Sequence, residues 1–137
     1  MALFYADASA LVKLVRDEPE SDALRAFLAD SDIVSSELVF TEVPRAVRRA
    51  AARDPRLTLD VLIGRAGDTL DGVALLPLDR VLLLAAGALA EPALRALHAI
   101  HVASAVDLGP LDGFVTYDER QAAAARLAGL RTMSPGG

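Results

Sequence analysis

The chain has 137 residues and a formal net charge of −5 at pH 7, and 53% of its residues are hydrophobic. This length suits one domain, which we take to span residues 1–137, and the apolar content excludes an intrinsically disordered chain. The absence of cysteine excludes disulfides and thiolate metal sites. Because no apolar stretch reaches the roughly 20 residues that span a bilayer and no signal peptide is evident, we expect a cytoplasmic protein without a membrane anchor.

An apolar run at residues 3–6 precedes Asp7, and a helical pattern follows it. Such a run is typical of a buried parallel strand that feeds a helix. Asp7 would then lie at the carboxyl edge of the sheet, where open α/β proteins bind ligands. Ser9 is placed to cap the helix or to support Asp7 with a hydrogen bond. Asp7 is therefore either a metal-binding carboxylate or only the cap of a strand end.

The rest of the chain alternates predicted strands and helices. Strands are predicted at 31–36, 73–76, 113–116 and 130–133, and helices at 19–29, 37–53, 57–70, 79–89, 92–106 and 119–128. Pro44 lies inside the helix of 37–53, so we expect a kink there or a helix that begins near Thr41. This alternation implies an α/β fold with a parallel sheet that helices cover on both faces.

Three acids share one kind of position in this pattern. Asp7 and Asp118 each follow a predicted strand, and Glu42 lies near the start of the helix after the second strand. The three can therefore reach the same sheet edge, where clustered carboxylates need a cation. Oxygen ligands of this kind suit Mg²⁺ or Mn²⁺, which activate water for phosphoryl transfer. The alternative is three unrelated surface acids on a chain that has 19 acids.

The helix that contains Glu42 also carries the only concentrated basic face of this acidic chain. Three- and four-residue spacings put most of its arginines on one side, namely Arg45, Arg48, Arg49 and Arg53. They are RNA-binding candidates, because phosphate contacts supply affinity without choosing a sequence. The alternative is a solvated surface stripe. With only 4% aromatic residues, the chain shows no base-stacking platform.

Four segments of the chain resemble one family. They are residues 7–13 (DASALVK), Thr41 and Glu42 with Arg45, residues 94–105 (LRALHAIHVASA), and residues 116–121 (TYDERQ) with Ala123, Ala124 and Gly129 after them. In this order they resemble the PIN-domain ribonucleases and, within these, the VapC toxins of bacterial toxin–antitoxin pairs. The resemblance implies a PIN-like three-layer α/β/α sandwich, a homodimer, Mg²⁺- or Mn²⁺-dependent cleavage of RNA, and a VapB-like antitoxin in the active-site groove. It puts Asp7, Glu42, His98 and Asp118 at catalytic positions, with the three acids as metal ligands.

His98 departs from the family pattern, which has an aspartate of the metal-binding set at this position. The replacement removes a negative oxygen ligand, and imidazole suits Mn²⁺ or Zn²⁺ better than Mg²⁺. His98 is therefore a natural variant that still binds metal, a natural loss of activity, or an engineered change that lowers toxicity. We favour weakened chemistry over a retuned metal site. His101 is expected to be a packed helix residue, and Ser9 and Thr116 either orient Asp7 and Asp118 or serve as ordinary caps.

The leading hypothesis is a metal-dependent endoribonuclease toxin that hydrolyses RNA phosphodiester bonds. The alternative is a catalytically impaired VapC-like protein that acts mainly by binding its antitoxin. Phosphotransfer receivers and aspartyl-phosphate phosphatases also place an aspartate after the first strand. The phosphatase pattern requires a second aspartate where this chain has Ser9, and the receiver pattern requires a late lysine, whereas Lys13 is the only lysine. Both are therefore set aside.

Overall fold

The computed structural model describes all 137 residues. Five strands form one sheet, namely β1 Leu3–Ala6, β2 Asp32–Ser36, β3 Ala74–Leu76, β4 Gly113–Val115 and β5 Thr132–Met133. The helices are α1 Ala8–Val15, α2 Ser21–Leu28, α3 Val39–Arg53, α4 Leu59–Asp71, α5 Arg80–Gly87, α6 Ala96–Leu108 and α7 Glu119–Leu127. The strand order is β3-β2-β1-β4-β5 and every pairing is parallel, so the predicted α/β class is confirmed.

Alternating side chains of the two central strands divide the core in two. Phe4 of β1 and Val115 of β4 pack against α1 to α4, whereas the adjacent Tyr5 and Phe114 pack against α6 and α7. This alternation follows from the two-residue period of a strand, which sends successive side chains to opposite faces. α5 packs outside α6 through Leu82. Helices therefore cover both faces of the sheet, and the predicted α/β/α sandwich is confirmed.

Two helices begin later than predicted, because a side chain closes a turn ahead of each. α2 begins at Ser21 rather than at residue 19, since Ser21 Oγ accepts from the amide of Glu18 at 2.9 Å. α6 begins at Ala96 rather than at residue 92, since the Glu91 carboxylate accepts from the amide of Ala93 at 2.9 Å. Both turns satisfy backbone donors that a longer helix would otherwise have used.

α3 begins at Val39, between the two predicted starts at residue 37 and near Thr41, and it continues past Pro44. The amide of Glu42 bonds the carbonyl of Leu38 at 3.1 Å, which starts the helix one turn ahead of the proline. Pro44 lacks only the single bond that its own amide would have donated to the preceding turn. As predicted, α7 stops at a glycine, and Gly129 has a φ of 88°. None of the seven helices has the length and apolar character needed to cross a membrane.

Candidate active site

The carboxyl ends of β1, β2 and β4 meet at one edge of the sheet, because these strands are adjacent and parallel. Asp7 follows β1 directly, and Asp118 lies shortly beyond β4 as the N-cap of α7. Glu42 is in the first turn of α3, the helix that follows β2. The structure therefore puts all three predicted carboxylates at the same edge. Asp7 and Asp118 lie between a strand and the next helix, whereas Glu42 lies within the helix.

Asp7 is buried, with only 3% of its surface exposed. It caps α1, and its Oδ1 accepts from the Ala10 amide at 3.1 Å and from Ser9 Oγ at 2.6 Å. Its Oδ2 accepts from Thr116 Oγ1 at 2.6 Å. Burial raises the pKa of Asp7, while the hydroxyls of Ser9 and Thr116 act in the opposite direction because they stabilise the charged form. The site therefore holds a fixed, poorly solvated carboxylate that a cation would stabilise.

Ser9 and Thr116 link the ends of the two central strands. Ser9 Oγ accepts from the Tyr117 amide at 2.9 Å, and Thr116 Oγ1 accepts from the Asp118 amide at 3.1 Å. Their oxygens lie 3.3 Å apart. The same hydroxyls that donate to Asp7 thus also hold the backbone around Asp118. Neither hydroxyl caps a helix, because the caps of α1 and α7 are Asp7 and Asp118 themselves.

Glu42 meets a histidine from the opposite helix layer. Its Oε1 lies 2.6 Å from His101 Nε2, and His101 Nδ1 lies 2.7 Å from the Tyr5 hydroxyl. His101 is 1% exposed, which agrees with the expected packed helix residue. The contact with Glu42 was not predicted from the sequence, because the two residues are 59 positions apart and no spacing rule joins them. The signal that could have found it was His101 itself, an ionisable side chain on a helix whose other buried residues are small or apolar, namely Ala99, Val102, Ala103, Ser104 and Ala105.

His98 contacts Asp118. Its Nε2 lies 3.3 Å from Asp118 Oδ2, while Asp118 Oδ1 accepts from the Gln121 amide at 3.0 Å. The Gln121 side chain is fully buried and donates to the His98 carbonyl at 3.2 Å. His98 Nδ1 and Gln121 Oε1 are buried without a hydrogen-bond partner. The imidazole therefore occupies the space beside Asp118, and the backbone of His98 is held by Gln121, a residue that was not predicted to belong to the site.

The carboxylates of this edge do not form a closed metal cage. No three histidine, aspartate or glutamate side chains converge closely enough to hold one ion by themselves. Their donors are nevertheless the hard oxygens that Mg²⁺ prefers, and Mg²⁺ commonly keeps several waters and takes one or two protein carboxylates. The donor set therefore fits Mg²⁺ or Mn²⁺ held by few carboxylates and water, and it does not fit a dehydrated three-carboxylate cage.

Two cavities open at this edge. The first, about 560 Å³, is lined by residues that include Ser9, Glu42, Arg45 and Arg49. The second, about 620 Å³, is lined by residues that include Thr116, Asp118 and Arg126. Lys13 and Tyr117 line both cavities. The two cavities form a groove across the carboxyl edge, with Arg48 outside it.

The positive charges in the groove differ in their partners. Lys13 Nζ lies 2.8 Å from Glu20 and 3.4 Å from Glu18, so the only lysine is neutralised by two glutamates. Arg45 and Arg49 form no ion pair and are exposed on α3. These two arginines are therefore the cations of the first cavity that an incoming anion can reach.

The chain matches the family model described as PIN domain over residues 4–127. Ribonuclease VapC46 of Mycobacterium tuberculosis is 40% identical over 143 residues, which cover 98% of this chain and 99% of that protein. Ribonuclease VapC35 of the same organism is 38% identical over 140 residues, which cover 98% of each. Both relatives align end to end with this chain.

Solved structures give the same fold. The Mycobacterium tuberculosis toxin VapC20, described as cleaving the sarcin–ricin loop, has a TM-score of 0.72 at 16% identity and covers 96% of this chain and 99% of its own. VapBC2 from Rickettsia felis, bound to a promoter DNA fragment, has a TM-score of 0.71 at 12% identity. The match covers 97% of this chain and 98% of that one. The structural likeness supports the fold, and the sequence matches establish the family. The chain belongs to the PIN-domain family and, within it, to the VapC ribonucleases.

Proposed function

We propose that this chain is a metal-dependent endoribonuclease toxin that hydrolyses RNA phosphodiester bonds and is controlled by a VapB-like antitoxin. The observation that carries the proposal is the groove at the carboxyl edge, where Asp7, Glu42 and Asp118 follow three neighbouring strands and Arg45 and Arg49 lie beside Glu42. Acids and reachable arginines at one edge suit a substrate that is a polyanion cleaved with the help of a cation. The names of the full-length relatives support RNA as that substrate.

Asp7, Glu42 and Asp118 would hold Mg²⁺ or Mn²⁺, directly or through water. When bound, such an ion supplies an activated water and neutralises charge on the phosphate. Ser9 and Thr116 keep both Asp7 oxygens in place through bonds of 2.6 Å, so the orientation of this carboxylate at the end of β1 is fixed. Arg45 and Arg49 would bind phosphates of the same strand and position the scissile bond.

The direct test is cleavage of structured RNA by the purified chain. We expect cleavage with Mg²⁺ or Mn²⁺, none in EDTA, and recovery when the metal ion is returned, because the acids cannot activate water without a cation. Gel analysis of end-labelled RNA gives the rate and the cleavage positions. Equal cleavage in EDTA would contradict the metal dependence, and no cleavage under any condition would favour the impaired alternative.

Arginines inside the groove should matter for RNA binding, and the arginine outside it should not. We expect Arg45→Ala and Arg49→Ala each to weaken RNA binding and to lower the salt slope of the binding constant by about 1, because each removes one phosphate contact. Arg48→Ala is the matched control, since it changes the same helix without altering the cavity. Binding is measured by fluorescence anisotropy in EDTA and in the Asp7→Asn background, so that cleavage during the measurement is minimal. Equal effects at all three positions would contradict an RNA path through this groove.

The proposed antitoxin inserts a basic side chain, most suitably arginine, into the same groove. Carboxylates that lack a bound metal ion attract a guanidinium, which pairs with two oxygens at once. Co-expression with the product of the adjacent small gene should therefore yield a stable complex in which RNA cleavage is suppressed. A double variant, Glu42→Gln with Asp118→Asn, should bind the antitoxin more weakly. Purification of the toxin alone despite a folded partner would contradict the proposal.

We also propose that the chain is a homodimer within that complex. Support comes from α5, where Val81 is 77% exposed and Leu84 is 68% exposed, an unusual pair of apolar side chains to leave in water. Light scattering of the same purified complex should therefore give two toxin chains, each of 14.4 kDa. A toxin content of one chain would contradict this part of the proposal.

One observation favours the impaired alternative. His98 already supplies Asp118 with a partner at 3.3 Å, so this carboxylate is less available to a metal ion than it would be beside another acid. A chain that binds its antitoxin but does not cleave RNA would fit this geometry.

A further inference from the structure

A continuous hydrogen-bond chain leads from the middle of the sheet to the groove. Tyr5 of β1 is fully buried, and its hydroxyl lies 2.7 Å from His101 Nδ1. His101 Nε2 lies 2.6 Å from Glu42 Oε1. The Glu42 side chain is 17% exposed and lines the first cavity. His101 belongs to the helix layer of α6, and Glu42 belongs to the layer of α3, so this chain joins the two layers at the sheet edge.

The direction of these bonds follows from what each group can donate. Burial raises the pKa of Tyr5, so its phenol keeps its proton and remains a donor. His101 Nδ1 is the one hydrogen-bond partner of the Tyr5 hydroxyl. The two nearby serine hydroxyls bond elsewhere, because Ser35 donates to the Ala6 carbonyl at 2.6 Å and Ser104 to the Ile100 carbonyl at 2.7 Å. A phenol that donates to Nδ1 of a neutral imidazole requires the ring proton to be on Nε2. That proton then points at Glu42.

We propose that His101 is a positioning residue, set by Tyr5, which holds Glu42 Oε1 through an Nε2–H donor and leaves Oε2 free to face the groove. No hydrogen bond engages Oε2, whereas Oε1 makes the bond of 2.6 Å. A carboxylate fixed in this way presents one oxygen in a defined direction, as residues that orient metal ligands do. The inference deepens the proposed function, since it names what orients one of its acids.

Packing alone does not account for this arrangement. A buried position on α6 could be filled by an apolar side chain, as Val102 is, whereas a histidine there must satisfy two ring nitrogens. Both nitrogens of His101 are satisfied, and the second partner is an acid at the groove. By contrast, Asp7 is oriented by two hydroxyls and needs no histidine. Among the three acids, Glu42 is therefore the one that the histidine orients.

The first readout is the tautomer of His101 in the metal-free protein, taken from its ¹⁵N imidazole shifts at neutral pH. We expect the neutral ring protonated on Nε2, and we expect Tyr5→Phe to lose this preference because the donor to Nδ1 is gone. A ring protonated on Nδ1, or a doubly protonated ring, overturns the proposal. This readout requires neither RNA nor metal, so it stands even if the chain proves not to cleave RNA.

The second readout is Mn²⁺ affinity, measured by electron paramagnetic resonance. His101→Leu should weaken it by about 10- to 100-fold, as loss of an orienting partner does, whereas His101→Gln should recover most of the affinity because its amide can donate to Glu42. Val102→Ala is the control for a destabilised α6, and it should leave the affinity unchanged. If His101→Gln loses as much affinity as His101→Leu while remaining folded, or if Tyr5→Phe and His101→Leu both bind Mn²⁺ normally, the proposal is wrong.

If the wild-type chain cleaves RNA, the same variants separate binding from positioning. His101→Leu should lower kcat and leave KM for RNA unchanged, because Arg45 and Arg49 are intact. Cleavage that is unaffected by both His101 variants would overturn the inference and leave the proposed function standing. Failure of the wild-type chain to cleave RNA would count against the proposed function, and the tautomer and Mn²⁺ measurements would still decide the role of His101.

Discussion

Replacing Asp7 with asparagine should lower the rate of RNA cleavage by about 100-fold or more while leaving the fold intact. Asparagine keeps the size of the side chain and one acceptor oxygen for Ser9 or Thr116. It removes the negative charge that would hold a cation at the end of β1. The loss should appear in kcat, measured with saturating RNA and Mg²⁺, since the arginines that bind phosphate are unchanged.

The same substitution should not destabilise the metal-free protein at neutral pH. Burial raises the pKa of Asp7 above its ordinary value of 3.8, so the folded state binds this proton more tightly than the unfolded state does. Stability therefore falls as the pH rises from 3.8 through the raised pKa, because the buried carboxylate must then carry its charge. An asparagine side chain at this position carries no such charge. The Tm of the Asp7→Asn chain in EDTA should equal or exceed that of the wild-type chain at pH 7, and the difference should shrink near about pH 4.

Asp68→Asn provides the matched control for this experiment. Asp68 is exposed in the last turns of α4, which leads into β3 and so lies toward the amino edge of the sheet, away from the site. Its substitution should change neither cleavage nor the Tm. If the Asp7→Asn chain cleaves RNA within a few-fold of the wild-type rate, Asp7 does not belong to the catalytic set. A large loss of Tm would show that the acid has mainly a structural role.

The fold was predictable because its signals are local. The apolar run of β1 followed by an acid, and the glycine that ends α7, report on neighbouring residues alone. The errors fall where a side chain competes with the backbone for hydrogen bonds. Ser21 and Glu91 each close a turn that delays a helix, and both residue types occur too often in ordinary helices for the turn to be predicted.

The candidate site shows the same difference between features that local sequence predicts and contacts that it does not. Each carboxylate was identifiable because it follows its own strand, and parallel topology brings strand ends to one edge. What each carboxylate contacts was not predictable. The partner of Glu42 comes from the opposite layer, and Thr116 bonds Asp7 across 109 positions. Such contacts depend on how the layers are packed, which the hydrophobic pattern leaves open. The predicted three-acid cluster likewise depends on distances that strand order alone does not set.

Replacing His98 with aspartate should change the response to Mg²⁺ more than any other single substitution. His98 Nε2 lies 3.3 Å from Asp118 Oδ2, so a carboxylate at position 98 would lie near a second acid. Without metal the two negative charges repel, and with Mg²⁺ they become an oxygen pair that the ion prefers. His98→Asp should therefore lower the Tm in EDTA and raise it with Mg²⁺, since a ligand that binds only the folded state stabilises it.

The catalytic consequence follows from the same charge. The His98→Asp chain should bind Mg²⁺ about 10-fold more tightly than the wild-type chain and cleave RNA faster. With Mn²⁺, which tolerates nitrogen ligands, the two chains should differ less in affinity and in rate. His98→Asn is the matched control, because it removes the imidazole and matches aspartate in shape without adding charge. The measurement is a metal titration of cleavage rate and of Tm for the wild-type chain and both variants. If all three share one Mg²⁺ dependence and one rate, position 98 takes no part in the metal chemistry. If the asparagine form matches the aspartate form, the imidazole was merely blocking Asp118.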